Sequence, residues 1–492
     1  MFVAGLDMGT TGCKIAVYNE NAVLLKTYYR EYLKEKNLGA HEIDFEALRQ
    51  AVFELLSKAA ADYKLGALGV TSFGETFALL DDCDRVLAPS MLYTDPKGQE
   101  CVKELCKKIP IKYIAETTGA KPHEMYSIYK LMWFKSHRPE IFAAAKYVLL
   151  AEDYIVYLLT GVRRIDVSLA ARTGAFDIEK KTWATDIFEC AGIDRGVMSE
   201  PVPTGSVAGK LSDKAKENLH ISYDMTVVCG AHDQVAAMIG AGVFEENTAM
   251  DGTGTVECIP VILGKKPCNP SFFDKGYSAV PFVSGGFACY ALSYTGGAVL
   301  KWFRDNLCKE FYEKAQEKGQ NIYALLDKET PTDPTDILVL PHFAGAATPY
   351  MDPNAKAAFS GVTLETDRAA IYKALMEGTA YEIRLNFESL KDYSEEIKQL
   401  RATGGGASSD VWLSIKADIL NMEITALECR EVGAAGTAAL AGKAVGIYDD
   451  LKTTTEKMAP VRRVFRPNEA RAERYGALYA KYRNLYGALK NL

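Results

Sequence analysis

The chain has 492 residues, 48% hydrophobic and 25% charged, with a net charge of −7 and a pI near 5.6. That length exceeds one compact core and predicts about two to four domains, and the acidic balance argues against nucleic acid or an anionic membrane as partner. Eleven cysteines, an odd number without a Cys-x-x-Cys pair, read as reduced thiols of a cytoplasmic protein rather than a disulfide frame or zinc site.

The first element, Val3 to Tyr18 (VAGLDMGTTGCKIAVY), pairs two apolar runs around a cluster of glycines and threonines. A β-hairpin accounts for the shape, and a direct start in a strand predicts no secretory leader. The chemistry of the turn exceeds what a hairpin needs. Gly9, Gly12, Thr10 and Thr11 let backbone N–H groups and hydroxyls approach an anion, Lys14 adds positive charge, and Asp7 could anchor a hydrated Mg²⁺ that neutralises a phosphate. A third strand-like stretch follows, then a helical pattern from Asp44 to Tyr63 with Leu48, Val52, Leu55 and Leu56 on one face. Leu65 to Phe73 returns to the strand pattern. This order predicts an α/β domain with a mixed sheet.

Helices are expected to dominate from Gln99 to Thr160, before an irregular stretch reaching Pro203. The run from Thr226 to Phe244 is apolar but broken by His232 and Asp233, so it does not read as a membrane span. At Thr248 to Glu257 a second glycine and threonine loop follows an apolar lead-in, and the repeat looks like an internal duplication. The boundary is placed at 246/247, giving halves 1–246 and 247–492 with a cleft between them as the default site. In the second half Gly296 and Gly297 start a helix, Lys373 to Leu390 reads as a long amphipathic helix, and Gly404 to Gly406 separate a strand from the helical run VWLSIKADIL.

Several residues are candidates for chemistry. Gly405 and Gly406 would let a ligand lie against bare backbone, with a helix N-terminus beyond them offering N–H groups to an anion; a flexible connector is the alternative. Asp233 stands between a strand and a helix, where it could cap the helix or act as a general base, and His232 beside it could be the base instead. Glu75 leaves a strand end where α/β sheets collect ligands, and its carboxylate suits a polyol; a simple turn fits equally. Asp95 and Lys97 read as a surface turn with paired charges.

The order of these motifs resembles the FGGY carbohydrate kinase family, which includes glycerol, xylulose, gluconate and ribulose kinases. The likeness runs from Asp7-x-Gly-Thr-Thr through Gly-Ala-His-Asp-Gln at 230–234, Gly-Thr-Gly-Thr at 252–255, the Thr-Gly-Gly-Ala-Val-Leu-Lys-Trp-Phe run at 295–303 and Arg-Ala-Thr-Gly-Gly-Gly-Ala at 401–407 to the Gly-Ala helix after Glu431. It implies two actin-like, ribonuclease-H-type domains, each with a mixed five-stranded sheet, closing over ATP. By motif match Thr10, Thr11 and Lys14 would lie in one phosphate loop with Asp7 near Mg²⁺, and Thr253, Gly254 and Thr255 in the other. Gly297, Gly405, Gly406 and Asp410 would contact nucleotide. Asp233 would be the base, with Gln234, Glu75 and Asp95 toward a small sugar or polyol substrate, and the resemblance allows a homodimer. The chain departs from the pattern where it bears on substrate. Gly74 replaces the arginine that precedes this glutamate in glycerol kinases, the Met-His-Gly of xylulose kinases is absent, and Asp95-Pro96-Lys97 stands for Asp-x-Arg. A competing reading is an actin-fold ATPase with an assembly or conformational role and no sugar; the Gly-Ala-His-Asp-Gln element and Glu75 favour the kinase.

Overall fold

The computed structural model describes residues 1–33 and 38–491. β1 (Phe2–Met8) and β2 (Gly12–Tyr18) form the opening hairpin, in which Asp7 lies opposite Lys14. The Gly9 N–H donates to the Gly12 carbonyl at 2.9 Å and closes the turn. β3 (Leu24–Glu31) continues antiparallel. Helix α1 (Phe45–Asp62) starts at Asp44, whose carboxylate accepts the Glu46 N–H at 2.8 Å, and buries Leu48, Val52, Leu55 and Leu56. β4 (Leu65–Ser72) returns parallel to β1, β5 (Val207–Lys210) forms an edge, and β6 (Thr226–His232) lies parallel to β4. The order across this sheet is β5-β6-β4-β1-β2-β3.

The second half repeats the plan. β7 (Thr248–Thr253) and β8 (Glu257–Leu263) form a hairpin, β9 (Ala279–Pro281) and β10 (Phe287–Ser293) extend it, and β11 (Gln399–Gly404) and β12 (Glu423–Leu427) run parallel to β7. With β13 (Val461–Phe465) the order is β9-β10-β8-β7-β11-β12-β13. The series β3-β2-β1-β4-β6 and β10-β8-β7-β11-β12 share the same strand directions, which is the duplication expected from the two loops. The expected five strands become six and seven because β5, β9 and β13 add antiparallel edges. The fold is α/β, two ribonuclease-H-type units with a cleft between them.

α2 (Asp233–Gly240) follows β6, and α6 (Val432–Ala444) follows β12. α6 leaves its own sheet and lies across β1, β4 and β6 of the first, crossing α2 on the way. Glycine makes this approach feasible: a Cβ at Gly5 would fall 2.0 Å from the Ala434 carbonyl oxygen, and one at Gly436 2.0 Å from that of Ala236. Backbone therefore meets backbone between the halves.

Three further helices complete the site: α3 (Gly297–Leu307), α4 (Arg368–Leu390) and α5 (Asp410–Leu420). α4 begins five residues before the expected Lys373 and is buried on most of its circumference rather than on one stripe. Lys373 is enclosed, and its ammonium donates to the Pro331, Thr332 and Asp333 carbonyls at 2.6–2.9 Å, so its charge is satisfied inside. Among the described residues no helix is long and apolar enough to cross a membrane, and the eleven cysteines are all free.

Candidate active site

Three parallel strands of the first sheet end at one edge. β1 delivers Asp7 and the turn to Thr11, β4 leads into Gly74 and Glu75, and β6 leads into Asp233. This is the carboxyl edge where α/β sheets collect ligands. In the second sheet β7 leads to Gly254 and Thr255, β11 to the Gly404–Gly406 run, and β12 to Arg430 and Glu431.

Asp7, Thr11, Lys14, Asp233 and Gln234 line a common cavity of about 670 Å³ with Glu431 and Gly433. Thr10 is not on this wall. Burial and the neighbouring Asp7 and Glu75 carboxylates push Asp233 up to about 7. Burial raises Asp7 to about 6 against the opposing pull of Lys14, with Glu431 adding to the rise. The Lys14 ammonium is held by Glu431 Oε2 at 2.6 Å, a bridge between the halves. Sequence reasoning did not single out Glu431.

His232 holds the N-cap position of α2 without a side-chain cap bond, and Asp233, the first helical residue, accepts the Gln234 N–H at Oδ1, 2.6 Å. The His232 ring lies between two partners: Nε2 is 3.2 Å from Asp233 Oδ1 and Nδ1 is 3.3 Å from the Tyr290 hydroxyl. Burial and Arg172 hold the ring neutral, well below its ordinary range. With its proton on Nε2, the neutral ring donates to Asp233 and accepts from Tyr290, an arrangement that orients the aspartate. The His232 N–H donates to Ser168 Oγ at 2.9 Å, and Ser168 is fixed by Asp166 at 2.6 Å.

Glu75 is buried with φ of +65°, a left-handed conformation uncommon for non-glycine residues. Its carbonyl accepts from Ser127 Oγ at 2.6 Å. Its carboxylate pairs with Arg172, whose Nε lies 2.7 Å from Oε1. Burial raises Glu75 above the usual carboxylate range, with Arg172 opposing. Arg172 brings a guanidinium to Glu75 from a short turn 97 residues later. Asp95 corrects the surface-turn reading. It is buried, its carboxylate accepts the Lys97 N–H at 2.9 Å and its carbonyl takes the Lys130 ammonium at 2.8 Å.

In the second half Gly254, Thr255, Gly297, Gly405 and Gly406 converge on a cavity of about 500 Å³. Asn321, Tyr323, Asp327, Ser409 and Trp412 join them without having been signalled in the sequence, and Arg430 borders both cavities. Two expected residues are otherwise occupied. The Thr253 hydroxyl is buried, 2.6 Å from Asp251 Oδ1 and 2.9 Å from Lys416 Nζ, which leaves only its backbone for a ligand. Asp410 turns its carboxylate to Arg462 at 2.8 Å and to Arg463 at 2.5 Å, while Ser408 and Ser409 take the wall.

The comparisons agree with this geometry. Residues 2–240 match the N-terminal domain of the FGGY family of carbohydrate kinases, and residues 252–445 match its C-terminal domain. The chain is 26% identical over 502 residues to xylulose kinase of Bacillus subtilis (strain 168), covering all of this chain and 98% of the relative. It is 25% identical to gluconokinase of the same strain, with 100% and 96% covered. Xylulose kinase from Lactobacillus acidophilus superposes with a TM-score of 0.89 at 23% identity, over 99% of this chain and 98% of that one. The ATPase without a sugar substrate finds no support in these matches. A duplicated fold, two glycine-lined loops facing one cleft, and family models that span both halves lead to one conclusion: the chain belongs to the FGGY family of carbohydrate kinases.

Proposed function

We propose that the protein transfers the γ-phosphoryl group of MgATP to a hydroxyl of a small keto-sugar or polyol, a xylulose-like pentulose being favoured. The observation that carries this reading is that Asp233, at the end of β6, shares a cavity with Asp7 and Lys14 of the first loop. Residues 1–246 would hold the carbohydrate and the first phosphate loop, and 247–492 the nucleotide. Asp233 accepts the proton of the attacking hydroxyl as its oxygen bonds to the γ-phosphorus and the bond to the bridging oxygen breaks. A base raised to about 7 is matched to this task near neutral pH.

The donor set also suits a divalent cation. Asp7, Asp233 and Glu431 place three carboxylates on the same cavity as Lys14 and Arg430, an anionic excess of one that a hydrated Mg²⁺ would offset. Asp7 would hold it, and when bound it would neutralise charge on the phosphate oxygens. The residues of the chain position and exclude water: Lys14 and the Gly9–Thr11 turn face the phosphates, and closure of the halves suppresses hydrolysis. The free thiols suit a cytoplasmic setting.

A coupled ADP-release assay tests this, with MgATP against glycerol, erythritol, xylitol, pentuloses, hexuloses and gluconate. One compound should stimulate strongly in the native protein and fail in Asp233→Ala. Low release with every compound, equal in both proteins, would refute the reading.

A further inference from the structure

We propose that the buried Arg172–Glu75 pair acts as a charge filter at the carbohydrate end of the cleft, admitting uncharged polyols and ketoses and turning away sugars that carry a carboxylate. This inference rests on the kinase reading above and narrows its substrate class. The side chains of Arg172 and Glu75 are only 8% and 4% exposed. Nε and Nη2 of the guanidinium both fall on Glu75 Oε1, and Nη1 lies 3.3 Å from Ser278 Oγ. Tyr126 and Tyr290 lie 5.3 and 5.9 Å from the guanidinium carbon and flank the cation. The arginine charge is thus already matched.

The neighbouring cations are engaged as well. Lys130 donates to the Asp95 carbonyl at 2.8 Å, and Lys97 lies 3.3 Å from the Asp95 carboxylate. The charges that act on Asp233 are those of Asp7, Glu75 and Arg172. An aldonate would bring another anion among three carboxylates, with the Arg172 guanidinium held by Glu75 and the Lys14 ammonium by Glu431. A neutral hydroxyl meets no such penalty, and a carboxylate such as that of Glu75 can accept from it.

Gly74 leaves room for the pair. A Cβ there would stand 3.0 Å from Cβ and Cγ of Arg172 and 3.2 Å from Cδ2 of His232, so a side chain at 74 and this arginine compete for one space. The residue that departs from the glycerol kinase pattern is therefore the one that admits Arg172 to the site.

The test uses the full-length protein with MgATP and compares kcat/KM for xylulose, erythritol and xylitol with kcat/KM for gluconate and xylonate. The best neutral compound should exceed the best aldonate by at least tenfold; a smaller ratio, or a preference for the acid, overturns the filter while leaving the kinase reading intact. In Glu75→Gln the unpaired guanidinium should move the acid-to-neutral ratio up at least fivefold, and an unchanged ratio removes Arg172 and Glu75 from the discrimination. The ratio is taken within one preparation, so a fall in folded protein does not imitate the shift. ADP release with no compound at all would remove the kinase reading and the filter with it.

Discussion

In the first half Asp7, the next-to-last residue of β1, lies on the wall of a wide cavity, and its nearest cation, Lys14, is shared with Glu431 from the other half. In the second half Asp251 occupies the matching place on β7, but its carboxylate is sealed under the loop against Lys416, with Glu257 at 2.7 Å from the same ammonium. All three of those side chains are about 1% exposed. A duplicated loop has thus diverged in charge management. The first keeps an accessible, strained electrostatic site, and the second uses the same carboxylate as a buried strut that stiffens a backbone cradle. The difference teaches that a repeated motif need not repeat a role, because what fills the space behind the strand decides it.

The comparison breaks most sharply through its catalytic partner. Asp233→Ala should lower kcat by about 10²- to 10⁴-fold, read by coupled ADP release, with nucleotide affinity nearly intact by calorimetry. The second half should respond in stability instead. Lys416→Met leaves two buried carboxylates without a counter-ion and should cost about 3–5 kcal/mol in urea unfolding. Lys14→Met, which breaks a pair that is one-third exposed, should cost less than about 1 kcal/mol and reveal itself in KM for ATP. Equal losses of stability in the two lysine variants would erase the distinction.

pH sharpens the same contrast. Burial raises Asp7 and Asp233 to about 6 and 7 from the ordinary 3.8 of an aspartate, so the folded state binds more protons than the unfolded chain between these limits. Their burden is absent below about 4 and complete above about 7, and the protein loses stability as pH rises through that window. Asp233→Asn should therefore raise the melting temperature at pH 8 and change it little at pH 4, seen by scanning calorimetry. The smallest effect is kinetic: kcat/KM for the carbohydrate should rise with pH and level off with an apparent pKa near 7, the value at which Asp233 gains its basic form.

Much of this site was legible because its parts are local. Glycines and threonines at a strand end signal a turn open to a ligand, and Asp7, Lys14, Thr255, Gly297 and Gly405, singled out that way, line the two cavities. What escaped depends on distant partners: Glu75 meets Arg172 across 97 positions, Asp251 meets Lys416 across 165, and Lys14 meets Glu431 across 417. No window of sequence contains both members. The same blindness made Asp95 look exposed, since the Lys130 that encloses it lies on a later helix, and made Thr253 look free for phosphate when Lys416 already holds it.

The helix that crosses from one half to the other has a consequence for biosynthesis. The first sheet is complete once residue 232 has been made, yet α6, which covers β1, β4 and β6, begins at residue 432. Roughly 200 residues separate the two, and at about 5–20 residues per second the ribosome needs on the order of 10–40 seconds to supply them. Throughout that interval a nascent first half lacks the native cover of that sheet face, so its packing is completed only when the second half has been made.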